Sequence, residues 1–429
     1  MDPEKIESTK KVSEHALDEK LWNQSELLIN QAFNPLTYNF TVEPTKMDSL
    51  ISDVGNFSVC IFILLLAKAY KLINFRLLIL SCLMMLTPFL LNNSVVSWDY
   101  FPDQSKYLLV SKFFRDNMVF NVIPTIQDAF LYHAKVKLSA FIFAYVPLLS
   151  IETFKSIGFI NRILFVGTFL FFITRNYLPL YAKILLIFSP SIIIYSSISL
   201  RDNLILMIMI WLLYFFLKRS YILLIIFGFV LYAIKIQNFL ICVLAFYIII
   251  MFDNKYPKLI RRSMKTLSII GISIGLFFYT NEIMETLNSV RLGLYSEHNG
   301  YYQSKTAILS YVNLAFDKNL IIIFFSSMAR FVFSPLQELK TIPYVILFVE
   351  TLIIYILLFK AFYEGLKIKN IKKITKIWIF MFFLSLSTYA MFIFNHGAIT
   401  RYRFVLLFFI IIGYETHKYF HLKSEAKKI

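Results

Sequence analysis

The residues best able to do chemistry crowd into a few short stretches. The first reads Trp98-Asp99-Tyr100-Phe101-Pro102-Asp103-Gln104-Ser105, followed by Arg115 and Asp116. Two carboxylates four residues apart, among aromatics and just past an apolar run, suit general-base work on a hydroxyl. The same pattern also fits an interfacial loop whose Asp caps a helix. Asp202, preceded by Arg201 and followed by Asn203, opens another apolar run. It reads either as a catalytic acid near lipid or as an acid favoured by a helix N-terminus, with Arg201 snorkelling to the interface. The segments around Arg291 and His298, around Arg330, and across His396, Arg401, Tyr402 and Arg403 complete the set. Guanidinium groups match phosphate oxygens in bidentate fashion, so Arg115, Arg201, Arg291, Arg330, Arg401 and Arg403 are candidate pyrophosphate ligands; the alternative is scattered arginines on lipid phosphates. Arg330 stands out because its surroundings are otherwise apolar. His298 and His396 read first as loop residues and second as catalysts, His396 gaining weight from lying five residues before Arg401. No Asp, Glu, Cys or His group has metal-ligand spacing, so no metal is expected. Glu350, inside an apolar run, reads as a polar contact between helices or a cavity-facing group.

The rest of the chain is what must position them. Of 429 residues, 58% are hydrophobic and only 16% charged, with mean hydropathy +0.67, whereas a soluble domain carries about 25% charge. Continuous apolar runs recur at about 57–72, 77–96, 138–151, 159–174, 177–199, 203–217, 220–234, 237–252, 266–281, 319–334, 342–359, 377–394 and 402–415. The fold class is therefore all-α, a polytopic bundle of about 11–14 membrane segments; alternating β-barrel strands are excluded. The boundaries drawn are an acidic polar extension at 1–56, an integral domain at 57–415 with large external loops at 97–137 and 282–341, and a basic cytoplasmic tail at 416–429.

Net charge is +17, yet residues 1–56 hold five Lys/Arg against ten Asp/Glu, leaving 38 basic and 16 acidic residues in the rest. Such an excess in a membrane protein reports positive-inside anchoring rather than nucleic-acid binding. Placing Lys255–Lys265, Lys367–Lys376 and the tail in the cytoplasm puts the Arg401 and Arg201 segments outside. Run 177–199 is expected to break near Ser189-Pro190, since Pro190 cannot donate to a helix ladder, and on this parity it makes two short crossings. Run 319–334 is expected to be re-entrant or interfacial. Cys60, Cys82 and Cys242 all lie in apolar runs, arguing against disulfides. There is no Gly-rich phosphate loop, and no cofactor is expected.

Pro102-Asp103-Gln104-Ser105 in the first large loop is similar to the acidic loop of GT-C superfamily glycosyltransferases. Ser197-x-x-Leu200-Arg201-Asp202-Asn203, Arg330-Phe-Val-Phe-Ser-Pro335 and Gly397-x-x-x-Arg401-Tyr402-Arg403 resemble segments of bacterial oligosaccharide repeat-unit polymerases, the Wzy type that build O-antigen, capsule and exopolysaccharide. The likeness runs along 57–415 and leaves 1–56 unexplained. It implies a multi-pass enzyme of the bacterial inner membrane that transfers a growing glycan from one undecaprenyl pyrophosphate to a new lipid-linked repeat unit at the outer face. By resemblance, the arginines bind pyrophosphate, with Tyr402 and His298 beside the glycan, and Asp99, Asp103, Asp202 or His396 activates the acceptor hydroxyl. Partners implied are the lipid-linked oligosaccharide, membrane lipids and a chain-length-regulating co-polymerase. Two rivals remain: a GT-C enzyme using a polyprenyl-phosphate sugar, and a lipid-oligosaccharide flippase.

Overall fold

The computed structural model describes residues 46–91, 103–116, 132–253, 256–278, 280–301, 318–334, 342–393 and 396–426. Every regular element among them is a helix. Among the described residues four helices are long and apolar enough to cross a membrane: Ser49–Ala69, Phe154–Thr174, Val345–Lys367 and Lys372–Phe392. Shorter apolar helices account for several of the remaining runs. Large aliphatic and aromatic side chains are exposed along many of them, Phe62, Leu65, Ile222, Ile225, Ile356 and Phe380 among others, as befits surfaces solvated by lipid. The chain divides into two compact units.

The first unit holds residues 1–176, 193–208 and 225–239. Its elements include α1 (Lys46–Ala69), α2 (Phe75–Met85), α3 (Thr87–Leu91), α4 (Asp103–Asp116), α5 (Tyr132–Tyr145) and α6 (Phe154–Thr174). Helix α1 begins before the boundary drawn at residue 57, and its first turns are packed rather than solvated. Asn56 donates to Ser150 O at 2.9 Å and accepts from Leu149 N at 3.0 Å, while Asp53 accepts from Thr153 Oγ1 at 2.5 Å. Thr153 also closes a capping box with Ser156 that starts α6. At the other end, Lys68, Thr174 and Asn176 line one cavity. Helices α1 and α6 therefore run parallel.

This bears on one of the crossings inferred from the sequence. Helix α5, read as part of a span at 138–151, packs on α4, and the chain after it returns to the start of α1. Residues 196–200 lie beside Asn161, about 20 Å along α6 from Thr174 at 1.5 Å per residue. The intervening stretch from Asn176 thus makes one net traverse, not two.

The second unit holds 177–192, 209–224 and 240–429. The chain enters it through α7 (Leu180–Phe188) and α8 (Pro190–Tyr195), broken at Ser189 where Pro190 marked the break. Next come α9 (Asp202–Lys218), α10 (Tyr221–Ile234) and α11 (Ile236–Phe252), each, like α8, divided between the units, then α12 (Lys258–Phe278), α13 (Thr280–Tyr301), α14 (Lys318–Phe333), α15 (Ile342–Lys367), α16 (Lys372–Phe392) and α17 (His396–Ala426). Helix α17 is buried on all sides from Arg403 to His417, the mark of a core helix. It packs on α15 and α16, and α16 also holds α14. Glycine allows the closest approach: a Cβ on Gly413 would collide with the Trp378 ring and lie 2.8 Å from Leu213 Cδ2. Residues 282–301 and 318–333, within the stretch drawn as an external loop, are helical, and the tail drawn from residue 416 begins within α17, with Thr416 and His417 fully buried.

Candidate functional site

Of the predicted residues, the second unit brings one set together, where the middle of α13 meets the C-termini of α14 and α16 and the first turns of α17. Arg291 in α13 donates from Nε to Met391 O at 2.9 Å, and Arg330 in α14 donates from Nη2 to Ala390 O at 3.5 Å, so both reach the last carbonyls of α16. Arg291 and Arg330 are near enough to repel one another. Arg403, in the second turn of α17, directs one Nη1 to Phe331 O and Val332 O at 3.0 Å each and to Ser334 O at 2.5 Å, closing the C-terminus of α14. Helix C-termini carry partial negative charge and attract cations, which explains why these side chains turn inward. Between them Tyr389 stacks on Phe331 at 6.2 Å and on Tyr402 at 5.4 Å. Arg401 and Tyr402 are half-buried on the same turn of α17 as Arg403. Guanidinium groups from three helices thus flank an aromatic stack. His396 opens α17 and His298 lies in α13, but their side chains fall outside the described residues.

The predicted residues of the first unit are set differently. Asp99 lies outside the described residues, and Asp103 is the first residue of α4 with its side chain likewise outside. Arg115 donates to Leu148 O, a tie between α4 and the turn after α5. Arg201 and Asp202 are both buried, Arg201 donating from Nη1 to Ile234 O at 3.4 Å and Asp202 occupying the first turn of α9. Asp202 therefore sits where a helix N-terminus favours an acid.

Around Arg201 and Asp202 lies a polar core that sequence reasoning passed over. Residues 196–201 are irregular and buried, a conformation tolerated at membrane depth only where side chains satisfy the backbone. Asn161 Nδ2 donates to Ile198 O and Leu200 O, each at 2.8 Å, and Asn203 Nδ2 donates to Asn161 O at 2.9 Å. Gln104 Oε1 accepts from Ser199 N at 3.1 Å. Arg162, 1% exposed, donates from Nε to Met84 O at 2.8 Å and from Nη1 to Ser196 Oγ at 2.5 Å. Gln104 Nε2, Asn161 Oδ1 and Asn203 Oδ1 are buried without a hydrogen-bond partner among the described residues. The signal was present in the sequence: Asn161-Arg162 interrupts an apolar run just as Arg330 does.

Glu350 makes the polar contact foreseen for it. It accepts from Ser191 N at 3.1 Å and Ser191 Oγ at 2.6 Å, and from Ser189 Oγ, so its carboxylate faces the break between α7 and α8. A third buried constellation carries no open position. Trp378 Nε1 donates to His417 Nδ1 at 3.2 Å, and His417 Nε2 lies 3.2 Å from Asp253 Oδ2. Both ring nitrogens are engaged, so His417 has no lone pair to offer a substrate.

Compared with protein-family models, curated proteins and solved structures, the chain matches none of them.

Proposed function

We propose that this chain is a polytopic membrane glycosyltransferase that polymerises undecaprenyl-pyrophosphate-linked oligosaccharide units at the outer face of a bacterial inner membrane. The observation that carries the reading is the gathering of Arg291, Arg330 and Arg403 beside the Tyr389–Tyr402 stack. Guanidinium forks suit a pyrophosphate, and an aromatic face suits a sugar ring. Support also comes from four helices able to cross a membrane and from sequence segments resembling repeat-unit polymerases. On this reading the shorter apolar helices complete a GT-C-like bundle of about 11–14 segments. The acidic stretch with Asp99 and Asp103, or His396 at the start of α17, supplies the base that takes the acceptor hydroxyl proton. The pyrophosphate departs as the glycan is transferred.

A second reading, a lipid-oligosaccharide flippase, draws on Arg162 and Glu350. Both are ionisable groups buried within candidate spans, and Glu350 sits at a helix break, features shared with transporters. Incubating the purified chain in detergent with lipid-linked repeat units separates these. A ladder of polymer supports the polymerase, single-sugar addition from a polyprenyl-phosphate sugar points to the simpler GT-C enzyme, and translocation in proteoliposomes without new glycosidic bonds supports the flippase.

A further inference from the structure

At the end of the first unit where α1 and α6 terminate, a cavity of about 710 Å³ is lined by Lys68, Lys71, Asn74, Arg76, Thr174 and Asn176 together with aliphatic neighbours. Its volume falls in the range of small-molecule sites, roughly 300–1,000 Å³. It therefore has room for more than a single ion. The lining contains three cations and no acid, and no carboxylate among the described residues pairs with Lys68, Lys71 or Arg76. Lys71 and Arg76 are exposed and Lys68 is half-buried, so water screens their mutual repulsion, and an anion seated among them would meet all three cations at once.

The backbone here is not the cheapest available. Lys71 N donates to Lys68 O and Leu72 N to Ala67 O, both at 2.9 Å, which makes Lys71 the residue after the cap of a Schellman turn, with φ 57°. That position favours glycine, because a side chain there crowds the backbone. The chain instead places a lysine on the cavity wall. Opposite it, Arg76 and Leu77 stand in the first turn of α2, where Asn74 accepts from Leu77 N and the helix end favours negative charge.

The rim identifies the source of that anion. Tyr70, Leu72 and Phe75 are 76%, 66% and 63% exposed around the same turn. Aromatic and aliphatic groups so placed, next to cations and at the ends of two candidate spans, belong in a lipid interface rather than in water. We propose that this cavity is a binding site for the headgroup phosphates of an anionic phospholipid, with Lys68, Lys71 and Arg76 as its ligands. The site is independent of the arginine cluster in the second unit and of the glycosyltransferase reading.

The test uses the full chain in nanodiscs of phosphatidylethanolamine with or without cardiolipin, and native mass spectrometry to count retained cardiolipin. Wild-type protein is expected to hold cardiolipin through delipidation, while K68Q/K71Q/R76Q loses at least on the order of tenfold in apparent affinity. Neutralising Lys367, Lys369 and Lys372 in another basic turn should leave retention unchanged. Equal losses in both triple variants would reduce the effect to general surface charge and overturn the site. So would displacement of the lipid by millimolar inorganic phosphate, which would make the ligand a soluble anion. Lys71→Gly gives a separate readout. Relief of the left-handed turn should hold or raise the unfolding temperature while cardiolipin retention falls. Loss of stability with unchanged retention would assign Lys71 to the turn alone and overturn its role as a ligand.

Discussion

Replacing Asn161 with Leu tests whether the irregular segment 196–201 depends on side-chain donors. Leucine has a similar volume, so packing within α6 is largely kept, while both bonds to Ile198 O and Leu200 O, at 2.8 Å each, are lost. Both acceptors lie in a fully buried stretch. An unsatisfied buried acceptor costs about 1–3 kcal/mol, so the two together cost about 2–6 kcal/mol. Relief of the buried, unpartnered Asn161 Oδ1 returns about 1 kcal/mol. A net loss near 3 kcal/mol remains. At about 2 °C per kcal/mol for a large chain, unfolding in detergent should begin roughly 6 °C lower when compared at one scan rate. Asn161→Asp keeps the shape but turns an oxygen toward each carbonyl, so it should be at least as damaging. An unchanged unfolding temperature in Asn161→Leu, or a well-tolerated Asp, would refute the reasoning.

Other substitutions probe the second unit. Gly413→Ala drives a methyl group into Trp378 and should lower stability by about 1–3 kcal/mol, read as a fall in unfolding temperature; unchanged stability would mean α16 and α17 are not in contact there. Glu350→Leu strands the Ser191 N–H and two serine hydroxyls at a cost of about 2–4 kcal/mol, whereas Glu350→Gln retains an acceptor and should cost less. A reversed order would show that the burial of charge outweighs the bonds. Arg403→Ala removes the donor shared by Phe331 O, Val332 O and Ser334 O and should loosen the end of α14, measured as faster hydrogen exchange at 331–334 than in Arg403→Lys.

Much of the arrangement was legible because single residues have strong local meanings. Pro190 broke its run at the residue where the chain breaks, since it lacks the N–H a helix needs. Arg330 was conspicuous inside an apolar run, and it does turn inward to carbonyls. Arg162 obeys the same logic and was missed only because its run was counted as a uniform span. Other features are tertiary. That α5 packs on α4 depends on pairing between segments that hydropathy cannot see. The apolar run drawn at 402–415 left His396 to Arg401 outside it, yet α17 runs unbroken from His396. The carbonyls at the ends of α14 and α16 take one nitrogen from each guanidinium, Nε of Arg291, Nη2 of Arg330 and Nη1 of Arg403, which turns these side chains inward. For the candidate site, residue type pointed to the arginines. Their convergence on the ends of α14 and α16 is a property of packing.

The central claim is that the guanidinium groups of Arg291, Arg330 and Arg403 form a pyrophosphate site, and binding of undecaprenyl pyrophosphate to the purified chain tests it most directly. Wild-type protein should bind undecaprenyl pyrophosphate more tightly than undecaprenyl phosphate. Arg330→Lys keeps the charge but loses the fork and should weaken the pyrophosphate lipid by about 10–100-fold, with the unfolding temperature unchanged. Equal affinity for both lipids, or full-strength binding by Arg330→Lys, would contradict the account.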